Sequence, residues 1–81
     1  MTLDPQLLED IEFLLLFDSR NPMEGLKVHH EAEPGKIAAA KRLHELGMTT
    51  LTDGGYLTDR GREAAYLAEG LVNILQVRPV E

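Results

Sequence analysis

Cysteine and tryptophan are absent, and aromatic residues make up only 5% of the 81 positions. Without cysteine there is no disulfide framework and no thiolate-ligated zinc or iron–sulfur cluster, which fits a reducing, cytoplasmic compartment. Long apolar runs are missing as well. The longest, Phe13–Phe17, falls far short of the ~20 residues a membrane span requires, and the N-terminus has no basic segment leading into a cleavable apolar one. Cations are scarce: eight Lys and Arg stand against fourteen Asp and Glu, a formal charge of −6. That balance argues against broad, nonspecific affinity for nucleic acid or anionic lipid. Recognised catalytic and phosphate-binding patterns are also missing. Gly54-Gly55 reads as a turn, because neither a P-loop nor a dinucleotide fingerprint surrounds it. No Ser or Cys nucleophile stands beside a plausible base, so no enzyme activity is expected.

What remains is one small domain over residues 1–81. A chain of this size buries only about 60% of its unfolded surface and depends on well-packed helices or on association. The charge is uneven. Residues 1–35 hold two bases and eight acids, whereas residues 36–81 hold six of each. Any anion-binding capacity is therefore expected in the second half.

The first helix is marked by Asp4 as N-cap and Pro5 at the first helical position. At 100° per residue Leu7, Leu8, Ile11, Leu14 and Leu15 fall on one stripe, and Phe13 with Phe17 forms a second patch. The segment Asp18-Ser19-Arg20-Asn21-Pro22 ends it. Residues 22–30 allow either a single helical turn after Asn21-Pro22 or a short strand, and the alternation in Leu26-Lys27-Val28-His29 favours a strand over Leu26–His30. Pro34 opens a second helix that Gly47 closes, with Ala39, Ala40, Leu43 and Leu46 as its buried arc and Lys41, Arg42, His44 and Glu45 on the outward side. Asp53-Gly54-Gly55 between β-favouring runs predicts a hairpin with the glycines at its tip. Thr58 then caps a last helix reaching about Gln76, whose apolar arc is wider than one packed face needs. The fold class is thus mainly α with a small β-hairpin: helix, short strand, helix, hairpin, long helix.

Leu43-His44-Glu45-Leu46-Gly47-Met48, Gly54-Gly55-Tyr56-Leu57-Thr58 and Gly61-Arg62-Glu63-Ala64 together resemble the recognition-helix end, the wing and the following helix of a winged-helix domain. The chain also resembles, over nearly its full length, a small uncharacterised bacterial family of about this size described as candidate DNA-binding proteins. The segments that carry this likeness are Gly25-Leu26-Lys27-Val28-His29 and Asp53 to Thr58. The interval from Ser19 to Glu33 leaves no room for the supporting helix of a full winged helix. Either that helix has shrunk to a turn at Pro22–Gly25 or the domain is a reduced relative.

The resemblance implies a transcription-associated module that presents the 34–46 helix to a major groove of double-stranded DNA with the 48–58 hairpin beside it. Lys41, Arg42 and His44 are then the groove-facing residues, and Lys36, Arg60 and Arg62 bind phosphates. The alternative is a non-catalytic interaction or dimerisation module of the same shape. Phe13, Leu16 and Phe17, with Leu67, Leu71 and Ile74, exceed what one small monomer can cover, and predict a homodimer built from the first and last helices. His29, His30 and His44 do not form a metal site at these spacings, and no cofactor is expected.

Overall fold

The computed structural model describes residues 2–18, 20, 21 and 23–77. Ser19 and Pro22, which the sequence reading placed at the helix end and the turn, lie outside them. Among the described residues the order is α1 (Pro5–Leu14), β1 (Leu26–Lys27), α2 (Pro34–Glu45), β2 (Thr49–Leu51), β3 (Gly54–Leu57) and α3 (Asp59–Gln76). The three strands form one antiparallel sheet in the order β1-β3-β2. This is the mainly helical, reduced winged-helix-like layout expected from the sequence.

The start of α1 follows local chemistry. Asp4 accepts a hydrogen bond from the Leu7 N–H at 2.8 Å, satisfying one of the donors a helix start leaves unpaired. At its other end the helix tightens: Leu16 and Phe17 donate to the carbonyls three residues back, of Phe13 and Leu14. Phe17 then meets Phe13 edge-on, with ring centroids 5.7 Å apart.

The core consists of Phe13, Leu14, Phe17, Val28, Ala39, Ala40, Leu43 and Ala65. Three expectations are corrected here. Phe13 and Phe17 are 2% and 4% exposed, so they belong to the interior and not to an interface. Leu7 and Leu8, assigned to the buried stripe, are 38% and 45% exposed. The side of α1 turned towards α2 carries Gln6 and Asp10, which meet Arg42, in line with the buried Phe13 and Leu14 and, past the helix end, Phe17. A charged residue at the centre of that side hid it from a purely apolar pattern. Leu46, placed in the buried arc of α2, is also exposed, because the chain has left the helix there to enter the hairpin.

The sheet departs from expectation in two details. β1 is two residues long, not five. Val28 still donates to Asp53, at 2.8 Å, but Ala32 then donates to the His29 carbonyl and turns the chain towards α2. The glycines are not at the hairpin tip, which is Thr52-Asp53. Gly54 and Gly55 begin β3, where the register shifts by one residue against β2 and the Thr50 hydroxyl accepts the Tyr56 N–H at 3.0 Å. Gly54, at φ 119°, lies under Leu26 so closely that a Cβ would overlap the Leu26 carbonyl oxygen. The glycine is what lets β1 pair here.

The hairpin is fastened to both flanking helices. Met48 donates to the Leu43 carbonyl at 2.9 Å, and Thr58 donates to Met48 at 3.0 Å. The Thr58 hydroxyl donates to the Gly47 carbonyl at 2.6 Å and accepts the Gly61 N–H at 3.0 Å, so it caps α3 while holding the end of α2. Gly61 sits against the Met48 carbonyl, where any side chain would collide. The root of α3 is fixed, whereas its far end is exposed.

Candidate interaction surfaces

The cations expected to act together border different depressions or are engaged by different partners. Arg42 does not project outward. Its guanidinium reaches across to α1, where Nε and Nη2 donate to Asp10 at 2.9 and 2.8 Å and Nη2 also reaches the Gln6 carbonyl at 3.4 Å. The hydrogen bond to Asp10 raises the Arg42 pKa further, with smaller contributions from Glu9 and Asp4. The group is therefore a permanent cation locked to the acidic helix. An arginine on the α1-facing side of α2 is what the carboxylates of α1 require.

Lys36 is exposed and shares a depression with Glu9, Glu12 and Glu33. Glu9 lies against Gly35 in the first turn of α2, where a carboxylate complements the positive end of the helix. Arg62 pairs with Asp59 one turn before it. Arg60 is exposed on the first turn of α3. His44 is partly buried, and its Nδ1 donates to the Thr49 carbonyl at 3.1 Å, so it clasps the hairpin to α2.

Lys41 opens onto a groove of about 620 Å³ between α2, the end of β1 and the hairpin tip, whereas Arg62 borders a separate one of about 640 Å³ along α3, in company with Glu63 and Glu69. The companions of Lys41 in its groove are Lys27, His29 and His30, from the half of the chain in which no anion site was expected. They were missed because charge was summed along the sequence, where eight acids outweigh them. The signal that could have found them is local: residues 25–30 hold a lysine and two histidines and no acid.

The second surface is apolar. Only Gly61 and Ala65 of α3 are fully buried. Beyond them Leu67, Leu71, Ile74 and Leu75 are 58–73% exposed. Ala64, Leu67, Leu71 and Ile74 follow a three-four-three spacing and make one straight seam along the helix. Leu67, Leu71 and Ile74, expected at a dimer interface, are exposed, and Leu16, just past the end of α1, is half-exposed. Phe13, at the end of α1, and Phe17, just beyond it, face the core instead.

No group of three or more His, Cys, Asp or Glu residues able to hold a metal ion occurs among the described residues, and none of their helices is long and apolar enough to cross a membrane. Against known proteins, the sequence matches a family of unknown function, DUF5669, over residues 1–76. The chain belongs to that family. The match spans every element of the fold, from the Asp4 cap to the end of α3. No curated protein and no solved structure matches the chain.

Proposed function

We propose that this chain is a non-catalytic interaction module that self-associates through α3. The observation carrying this reading is the seam of Leu67, Leu71 and Ile74, flanked by Leu75, on a helix whose residues 64–77 contain a single charge, Glu69. On the 100° wheel Glu69 lies on the opposite side from that seam. A contiguous apolar strip of this kind is costly to leave in water and marks an interaction site.

A second copy is the occupant this strip fits. The seam has the spacing by which two helices interlock side chains. It is also self-complementary, since each copy offers the same uncharged row about a two-fold axis. A partner of different sequence would be expected to leave some charge on the rim facing the seam, and none lies between Ala64 and Val77 on that side.

The DNA-binding reading rests on fewer residues than the sequence suggested. Arg42 and Arg62 are engaged by aspartates, and Lys36 stands among glutamates. Sedimentation velocity at micromolar concentration tests the proposal. The parent chain should sediment as a dimer, and Leu71→Glu combined with Ile74→Glu should sediment as a monomer with unchanged far-ultraviolet circular dichroism. A parent that is monomeric at all accessible concentrations overturns it.

A further inference from the structure

The groove that Lys41 opens onto combines an apolar floor with a basic rim, and nothing in the self-association uses it. Val28 is 7% exposed and Ala40 1%. With Ile37, which is 37% exposed, they make a floor between α2 and β1. Lys27 and Lys41 stand at its sides and are exposed, as are His29 and His30. The side chains of Lys27, His29 and Lys41 make no ion pair among the described residues. His30 stands 3.8 Å from Glu31, and Asp53 is the carboxylate of the lining. In a chain of net charge −6 this is a local reversal of sign. β1, which lines the groove, is an edge strand of the sheet, so an extended segment laid along it can add main-chain hydrogen bonds.

We infer that this groove binds a short acidic peptide segment of a partner protein, its aliphatic side chains on Val28, Ile37 and Ala40 and its carboxylates at Lys27, Lys41 and His29. An apolar floor selects aliphatic side chains, which a phosphate backbone lacks. The surrounding negative charge disfavours a long polyanion and tolerates a segment carrying a few carboxylates. The site lies on β1 and α2, away from the α3 seam, so its success or failure is read independently of self-association.

Fluorescence anisotropy with the full chain tests it, using a labelled decapeptide of Glu, Asp and Leu. The controls are the same peptide with Lys replacing its acids, and a short random-sequence DNA duplex. The acidic peptide should bind saturably, more weakly as salt is raised. Lys27→Glu with Lys41→Glu should weaken it by about tenfold or more, and Ile37→Ser should weaken it without altering charge. Neither change should alter the circular dichroism spectrum or the sedimentation coefficient. Equal binding of the basic peptide, indifference to both sets of substitutions, or no binding at millimolar peptide overturns the inference. Binding of the duplex but not the peptide, abolished by the lysine substitutions, overturns it in favour of nucleic acid.

Discussion

The two ends of this molecule treat their side chains oppositely. Where α1 meets α2, aromatic rings are interior and even the charges are matched: Phe13 is 2% exposed and Arg42 is held by Asp10 at 2.8 Å. Along the outer half of α3, leucines and an isoleucine of the same hydrophobicity stand in water, with Ile74 73% exposed. Apolar residues at one end maintain the fold. At the other they are exposed and add little to the packing of the single chain.

Substitutions at the two ends should therefore separate stability from assembly. The largest effect is expected of Phe13→Ala, which empties a fully buried ring site and should cost about 3–5 kcal/mol, enough to unfold a domain of this size at room temperature. Urea denaturation read by circular dichroism measures it, and a loss under about 1 kcal/mol would remove Phe13 from the core. Next comes the charged contact. Asp10→Ala leaves the Arg42 guanidinium without its acceptor, and should lower the urea midpoint by less than the Phe13 change and by less still in high salt. A double-mutant cycle with Arg42→Ala isolates the pair, and complete additivity would show that the two side chains do not interact.

Thr58→Ala should cost about 0.5–2 kcal/mol, the range for losing a helix cap, with Thr58→Ser recovering most of it. The smallest effect is the one that sharpens the contrast. Leu71→Ser and Ile74→Ser should change the stability of the isolated chain by no more than about 0.5 kcal/mol when measured at concentrations too low for association. A loss as large as that of Phe13→Ala would mean that α3 is packed within its own chain and the contrast is false.

Much of the fold was legible because its signals are local. Asp4 before Pro5, Pro34 with Gly47, and Thr58 before Asp59 each announce a helix boundary through backbone hydrogen bonding that needs no tertiary context. The buried face of α1 was not legible. It is centred on Asp10, and a pattern that counts only apolar residues cannot see a face whose middle is a carboxylate satisfied from another helix. The glycines were misplaced for a related reason: Gly54 serves the approach of Leu26 from a distant segment, which a reading of the hairpin alone does not contain. The candidate sites divide the same way. The α3 seam was visible as surplus periodicity, whereas the basic groove joins residues 27–30 to 37–41 and exists only after the chain has closed on itself.

The Thr58 hydroxyl, bonded at once to Gly47 and Gly61, steps α3 into the body of the domain like a mast into a keel. The uncovered span from Tyr66 to Gln76 is roughly 16 Å of helix at 1.5 Å per residue, and its bearing is decided at the root. In the proposed dimer, two chains clasped along that span would hold their groove-bearing bodies at a set separation and angle. A change at Thr58 would re-aim both grooves while leaving every contact along the clasp intact.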